Sequence, residues 1–426
     1  MKKFTSNSIL NAKPISRRNV LKAGAGAAAV GAGATFGFPG ILKAQTGAIK
    51  IGHLTPMTGF LGGLGEWAVL GIQMAAEEIN ANGGVLGRKL EVNSEDSINP
   101  NTAATKAQRI LERDGADLLM GEISSASALA ISQVAERNKK LFMALGPRSD
   151  TLRGKNCNKY MFCTDIPNTV MVNAVGGALL RDGLVKGKKF HTLTADYIFG
   201  HDLLRAAKAF FSANDASLVG DELIATDVTD FSPYLLKIRQ AQPDIVCLNL
   251  AGNQVTNFVK QYAEFGLPYP TVGFNLNTSD AWAAGPGNLS GTWPTVWYHT
   301  LNTPGTQEFV ANFTKKYGKP PENHAWIEYV SLKLMARAMA ETQSTDTHDL
   351  IKYFESGAKF DILKGREAYF RASDHQLIQE AYPFSVKEAS KAKDQWDLMD
   401  LGPAIPGDNE PLESIYPTPE QSGCSL

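Results

Sequence analysis

The sequence contains little cysteine and little net charge. Four of its 426 residues are cysteines, and 42 lysines and arginines stand against 43 acidic residues, for a formal net charge of −1 at pH 7. No two cysteines have the Cys-x-x-Cys spacing, and no two histidines the His-x-x-x-His spacing, that zinc sites use. No nucleophile with a neighbouring base and no phosphate-binding loop stands out either, so the sequence predicts neither an enzyme nor a metal or cofactor site.

The few cysteines leave several thiol states open. Cys157 and Cys163 could close a small loop, or either of them could pair with Cys424 and hold the C-terminal tail. Cys247 lies in the apolar, strand-like run 244–250 and is predicted to be a buried free thiol. An oxidising compartment permits disulfides here without demanding them.

Acidic residues are absent from the amino terminus. Residues 1–44 carry seven lysines and arginines, including the paired arginines of SRRNVLK at 16–22, ahead of an uncharged run at 23–42 that is rich in alanine and glycine. That run is too weakly apolar for a membrane anchor. The pattern predicts a twin-arginine signal peptide over 1–44, export by the twin-arginine machinery and release of a soluble periplasmic protein. Without those seven residues, 35 basic residues remain against 43 acidic ones, and a formal charge of −8 disfavours nucleic acid as a partner.

Residues 49–96 predict a strand, a glycine-rich loop, an amphipathic helix and a second strand in unbroken succession. The run 49–54 is short and apolar, and the following loop, 55–65, contains four glycines. One helical face then carries Leu70, Met74, Ala75 and Ile79. Because ligands of open α/β sheets bind outside the carboxyl ends of the strands, this loop is predicted to face a ligand.

Strand-like and helical patterns alternate along the rest of the chain, which is typical of α/β proteins with parallel sheets. Asn99 and Pro100 begin a helix predicted over 102–114, and Ser124 and Ser125 begin one predicted over 126–138. About 380 residues follow the signal, a length that suits two doubly wound lobes. The predicted strands lie near Leu90, Leu118, Phe142, Phe190, Leu223, Val246, Val272 and Val296.

The segments IKIGHLTPMTG, AAEEINANGGVLGRKLEV and DLLMGEISSASALA resemble the type I periplasmic solute-binding proteins of ABC importers, in the branched-chain amino-acid (Leu/Ile/Val) group. The resemblance continues in the same order through ADYIFGHDLLRAA and VKQYAEFGLPYPTVGFN. It implies two Rossmann-like lobes joined by three crossovers, a solute bound between them, and a monomer that docks on a membrane permease without performing chemistry. The implied boundaries are 48–167 with 299–383 for lobe 1, 168–298 with 384–415 for lobe 2, and 416–426 for the tail.

On the first lobe, the candidate ligand-binding residues are Ser124, Ser125, Gly146 and Arg148. Hydroxyls and backbone N–H groups at a helix start attract anions, although either serine could merely cap the helix. The resemblance assigns Ser125 to the serine that binds the ligand's carboxylate, and Gly146 to a backbone contact with the same group. Arg148 stands where the family has a threonine. Its guanidinium could bind a carboxylate bidentately, or it could be solvated like most loop arginines.

The remaining candidates concern the opposite wall and the first loop. Phe199 aligns with a ligand-contacting tyrosine of the family, and Tyr197 lies two residues earlier. Ala251 aligns with a second tyrosine, and Leu64 with a pocket tryptophan. Asn275 replaces the glutamate that pairs with the ammonium of an amino-acid ligand. An amide cannot neutralise a buried ammonium.

These departures leave the ligand open between a branched-chain amino acid and a related aliphatic or aromatic carboxylate, with a short-chain amide or urea as a further alternative. An amino acid would need Glu122 or Asp196 to replace the missing charge. A ligand-sensing receptor that signals to a partner is the alternative function, because the same fold serves in both roles.

Overall fold

The computed structural model describes residues 47–426, and the predicted twin-arginine signal lies outside the described residues. Within this part of the chain no helix is long and apolar enough to cross a membrane. The alternation of strands and helices expected from the sequence is present, and the strands form three sheets.

The first sheet has seven strands, five of which lie within residues 49–163. All neighbours pair in parallel except the last two strands along the chain, which pair with each other as an antiparallel hairpin. In spatial order the strands are β11 (Tyr369–Arg371), β12 (Gln376–Ile378), β5 (Met161–Cys163), β4 (Phe142–Ala144), β3 (Leu118–Gly121), β1 (Ile49–Thr55) and β2 (Leu90–Asp96).

The second sheet is entirely parallel, and a third, smaller sheet is antiparallel. The strand order of the second sheet is β7 (Ser217–Ile224), β6 (Lys189–Ala195), β8 (Ile245–Asn249) and β9 (Thr271–Gly273). The third sheet consists of β10 (Thr292–Thr295), β13 (Tyr382–Val386) and β14 (Met399–Leu401).

Helices connect most of the parallel strands, as the crossover connection of a parallel pair requires. They are α1 (Gly62–Ala81), α2 (Pro100–Glu112), α3 (Ser125–Asn138), α4 (Asn168–Arg181), α5 (Ile198–Ala213), α6 (Ser232–Ala241), α7 (Asn253–Phe265), α8 (Thr278–Ala284), α9 (Thr306–Tyr317), α10 (Asn323–Thr342), α11 (Thr347–Glu355) and α12 (Pro419–Ser422).

The glycine-rich loop is shorter than the sequence suggests, because α1 already begins at Gly62. A Cβ atom at Gly65 would lie 1.7 Å from the backbone oxygen of Pro56, and one at Gly71 would lie 2.1 Å from that of Ala325. These two glycines therefore permit close packing of α1 against its own preceding loop and against α10. Gly65 belongs to the helix, and its lack of a side chain allows the close approach to Pro56.

The cysteines resolve to one disulfide and two buried thiols. Cys157 is bonded to Cys424, whereas Cys163 and Cys247 are free and buried, as predicted for Cys247. The tail is also held by Tyr416, whose hydroxyl donates to the backbone oxygen of Gln379 at 2.9 Å. The end of the chain is thus fastened at two points.

Candidate functional site

A small cavity lies where loops from the carboxyl ends of both parallel sheets meet. The loops after β1, β3 and β4 form one wall, those after β6, β8 and β9 form the other, and the start of α10 closes one side. This is where open α/β sheets bind ligands. The cavity measures about 20 Å³ and is lined by Leu61, Leu64, Ile123, Gly146, Arg148, Tyr197, Phe199, Ala251, Asn275, Asn277 and His324.

Seven of the nine residues proposed from the sequence line this cavity, and Arg148 is the most connected of them. Its side chain is only 4% exposed. Nε donates to Asp165 Oδ2 at 2.8 Å, and Nη1 donates across the cavity to Oδ1 of Asn275 at 2.6 Å and of Asn277 at 3.2 Å. The solvated loop arginine that the sequence left possible is therefore wrong, because Arg148 is buried and paired. No described residue accepts from Nη2, whose two N–H groups are left for a ligand.

A second arginine on the same loop makes a useful contrast. Arg153 is as buried as Arg148, but its N–H groups hold the protein itself. Nη2 donates to the backbone oxygens of Pro147 and Asp165, both at 2.7 Å, Nη1 donates to Ser149 O at 3.1 Å, and Nε donates to Gln376. Arg153 shapes the loop, and Arg148 keeps donors for the cavity.

The two asparagines on the opposite wall are engaged by the protein through both their oxygen and their nitrogen atoms. Asn275 accepts from Arg148 and donates to Leu250 O at 2.9 Å, while Asn277 accepts from Arg148 and donates to Asp280 Oδ2 at 3.1 Å. Burial raises the pKa of the Asp280 carboxyl to about 7, opposed by the Asn277 hydrogen bond. The asparagines thus orient Arg148 through their oxygen atoms, and each amide nitrogen keeps one further N–H group.

The other polar groups at the cavity are His324 and Tyr197. Nδ1 of His324 lies 3.1 Å from Glu322 Oε2, and both side chains are buried. The described residues include no hydrogen-bond partner for His324 Nε2 or for the Tyr197 hydroxyl. Burial raises the pKa of Tyr197, so its hydroxyl stays protonated.

Apolar groups complete the wall around these polar atoms. The ring of Tyr197 lies 5.5 Å from that of Phe199 and 5.6 Å from that of Phe60. Leu61, Leu64, Ile123 and Ala251 are the aliphatic residues that line the cavity. Since Ala251 is small, the second-sheet wall has room for a bulkier ligand than a tyrosine there would allow.

The two serines lie outside the small cavity. Ser124 is the N-cap of α3 and accepts from Ser127 N at 3.4 Å, so the capping alternative applies to it. Ser125 is fully buried, and its hydroxyl accepts from Ser149 N at 3.2 Å. Ser124 lines a neighbouring cleft of about 320 Å³, which shares Leu61 and Tyr197 with the small cavity. The serine hydroxyls and Arg148 are therefore not brought into one cavity.

Neither acid that could have replaced the missing glutamate lines the cavity. Glu122 turns its Oε1 back to the backbone N–H groups of Ile123 at 3.0 Å and Ser124 at 2.8 Å. Burial raises the pKa of the Glu122 carboxyl to about 7. Asp196 is exposed and pairs with His201 at 2.8 Å. The lining residues thus include no carboxylate.

Sequence reasoning missed His324 and Asn277. His324 follows the candidate residues of the second wall in the chain and reaches the cavity only because α10 packs against α1. Asn277 lies two residues after Asn275 on the loop after β9, and no sequence pattern marked it as a lining residue. Among residues 47–426 no group of three histidines, cysteines or acids is arranged to hold a metal ion.

Comparisons with known proteins agree with this architecture. The family described as "Periplasmic binding protein" matches residues 48–393. The Leu/Ile/Val-binding protein homolog 8 of Brucella abortus is 25% identical over 346 residues, which cover 77% of this chain and 84% of that protein.

Solved structures give the same result. A periplasmic binding protein of Burkholderia mallei is 28% identical, with a TM-score of 0.81 over 89% of this chain and 99% of that one. The solute-binding protein of an ABC transporter from R. palustris, in complex with benzoate, shares the fold at 23% identity, with a TM-score of 0.75 over 89% of this chain and 100% of that one. This family and fold are those of binding proteins of transporters rather than of enzymes. The chain belongs to the periplasmic binding protein family, and its fold is that of the type I periplasmic binding proteins.

Proposed function

We propose that this protein is the solute-binding component of an ABC importer and that its solute is a small carboxylate without an ammonium group. The observation that carries the proposal is the charge of the cavity lining. Arg148 and His324 are its only groups that can carry a positive charge, and no carboxylate lines it. A carboxylate therefore has a buried cation to pair with, and an ammonium has no anion.

The energetics favour the same class of ligand. A charge-assisted hydrogen bond contributes about 1.5–3 kcal/mol, and an N–H group of Arg148 Nη2 can donate one to a ligand carboxylate. A buried ammonium without a partner costs several kcal/mol. For an amino acid this cost offsets much of what its carboxylate gains.

The relatives differ on this point. The Brucella protein bears the name Leu/Ile/Val-binding protein homolog, whereas the R. palustris protein holds benzoate. The aromatic and aliphatic side chains around Arg148 could pack against a branched aliphatic chain or against a benzene ring. The missing acid supports a carboxylate with an aliphatic or aromatic hydrocarbon part and no ammonium group in this chain.

Capture requires movement, because sites for small molecules generally measure 300 Å³ or more and this cavity is far smaller. We assign the movement to two lobes, 48–167 with 299–383 and 168–298 with 384–415, which open and close about their three crossovers. Arg148 on the first lobe and Asn275 on the second are hydrogen-bonded in the closed form. That closed form, as a monomer, is the form expected to dock on the membrane permease.

Export is proposed to follow the twin-arginine pathway. The support is the sequence of residues 1–44 alone, with its paired arginines and its weakly apolar run. Replacing both arginines of the SRRNVLK segment by lysine is expected to abolish periplasmic accumulation. Export that persists in this variant would contradict the proposed route.

A thermal-shift screen of the protein from residue 46 onward tests the ligand class. The panel comprises branched-chain amino acids, their 2-oxo acids, benzoate and short amides including urea. Ligands that bind the native state raise the melting temperature. Shifts with 2-oxo acids or benzoate are expected, and shifts confined to amino acids or amides would refute the proposed class.

A further inference from the structure

Some polar atoms at the cavity have no hydrogen-bond partner in the protein. These atoms indicate which polar groups the ligand carries in addition to its carboxylate. The oxygen atoms of Asn275 and Asn277 accept from Arg148, and each amide nitrogen donates one of its two N–H groups to the protein. Arg148 Nη2, the Tyr197 hydroxyl and His324 Nε2 have no partner among the described residues. A matching ligand must therefore satisfy an imidazole nitrogen as well as a guanidinium.

Glu322 determines which ring nitrogen of His324 is left for the ligand. Its carboxylate can only accept, and Oε2 lies 3.1 Å from His324 Nδ1, so the ring proton resides on Nδ1. The amide nitrogen of Asn323 lies farther away, at 3.4 Å. The same Glu322 oxygen accepts from the backbone N–H of His324 at 2.6 Å, which fixes the acid at the start of α10. In the neutral ring, Nε2 is then a hydrogen-bond acceptor directed at the cavity.

We propose that His324 is a specificity-determining residue that accepts a hydrogen bond from a hydroxyl group of the ligand, with Glu322 as its positioning residue. The ligand is then a hydroxylated carboxylate, either a 2-hydroxy acid or a hydroxybenzoate. This inference rests on the proposed function, because it takes Arg148 as the partner of the carboxylate. It goes beyond that function by assigning the second polar group and the residue that selects it.

The cavity wall supports a hydroxyl over a second carboxylate. The Glu322 carboxylate already lies against the imidazole, and Asp280 is close enough to both Glu322 and His324 to feel their charges. A second ligand carboxylate would add another anion to this buried group, which is unfavourable. A hydroxyl adds none.

Calorimetric titration of matched acids tests the proposal on the unmodified protein. The two pairs are 2-hydroxy-4-methylpentanoate with 4-methylpentanoate, and 4-hydroxybenzoate with benzoate. In at least one pair the hydroxylated acid is expected to bind about tenfold more tightly, because the analogue covers Nε2 without giving it a hydrogen-bond partner. Equal affinities within both pairs would overturn the inference, and so would tighter binding of a dicarboxylate such as terephthalate.

Variants then assign the preference to the residue. His324→Phe is expected to abolish the difference in affinity between the hydroxylated acid and its matched analogue. His324→Gln retains an acceptor and is expected to preserve part of the preference, and it serves if the phenylalanine variant does not fold. A preference that survives in His324→Phe would refute the assignment.

Glu322→Gln separates positioning from contact. The variant is expected to shift the imidazole proton between the two ring nitrogens, as read from their ¹⁵N chemical shifts, and to weaken the hydroxyl preference. Unchanged shifts would refute the positioning role. Failure of the proposed function would look different, since then neither acid of a pair would bind or Arg148→Met would leave binding unchanged.

Discussion

The two walls of the cavity differ in charge. Loops after strands of the first sheet contribute Arg148, and the start of α10 contributes His324. Loops after strands of the second sheet contribute Tyr197, Phe199, Ala251, Asn275 and Asn277. The first wall thus holds the cation, and the second is neutral. The neutral wall is not passive, because its asparagines accept two hydrogen bonds from Arg148. The first wall therefore selects the charge of the ligand, and the second wall fixes the orientation of the Arg148 guanidinium.

Removing the cation should have the largest effect. Arg148→Met takes away the buried cation that pairs with the carboxylate, and this loss is expected to weaken binding by about a hundredfold or more. The single variant also leaves Asp165 buried without its ion-pair partner, at about 3–5 kcal/mol of stability. Arg148→Met with Asp165→Asn removes both charges and is the matched control for folding. Calorimetry on the double variant should still show the loss of binding, and retained affinity would mean that Arg148 only holds the loop.

Adding an anion to the neutral wall should reverse the selection. Asn275→Glu places a carboxylate beside Arg148, where it competes with a ligand carboxylate and offers a partner to an ammonium. The affinity for 2-oxo acids is expected to fall about tenfold to a hundredfold, with leucine gaining relative to them. Asn275→Gln has the same length without the charge and is expected to keep the preference for the 2-oxo acid. Equal behaviour of the two variants would show that charge is not what distinguishes the walls.

Asp280 is a buried acid behind the neutral wall, and its titration should make the stability of the protein depend on pH. Its pKa is raised by burial to about 7, so the folded state holds a proton that the unfolded state releases above about pH 4. The associated stability is fully present below that value and is lost as the pH rises through about 7. Between pH 5 and pH 8, the wild type should lose on the order of 2 kcal/mol more than Asp280→Asn in urea unfolding. Parallel pH profiles of the two proteins would contradict this assignment.

The smallest expected effect comes from the hydroxyl on the neutral wall. Tyr197→Phe keeps the aromatic surface against Phe199 and Phe60 and removes one neutral hydrogen-bonding group. Affinity for the preferred carboxylate should fall about threefold to tenfold. A loss as large as that of Arg148→Met would show that the second wall also contributes to charge recognition.

Much of the fold follows from local patterns in the sequence. The Asn99-Pro100 start signal predicted α2, although the helix begins at Pro100 rather than at residue 102. Strand-like patterns predicted β4, β6 and β9, whereas Arg148, Phe199 and Asn275 became candidates only through the family resemblance. Patterns of this kind depend only on residues that are close in sequence, so they can be recognised without the tertiary structure.

The rest depended on contacts between distant segments. Burial of Arg148 requires Asp165 and Asn275, which lie 17 and 127 residues away. Gly65 is needed for a close approach to Pro56 that no periodicity reveals. The N-cap fell on Ser124 and left the Ser125 hydroxyl to the backbone of Ser149, a difference of one residue that decides which hydroxyl faces the cleft. His324 enters the site only through helix packing.

The most direct test of the central claim is a calorimetric titration of the purified wild-type protein with leucine and with 4-methyl-2-oxopentanoate. The two ligands share a carbon skeleton and a carboxylate and differ in the ammonium. A cavity with Arg148 and no carboxylate should bind the 2-oxo acid at least tenfold more tightly than leucine. Tighter binding of leucine would contradict the account, because an anion would then have to reach the ammonium from outside the residues that line this cavity.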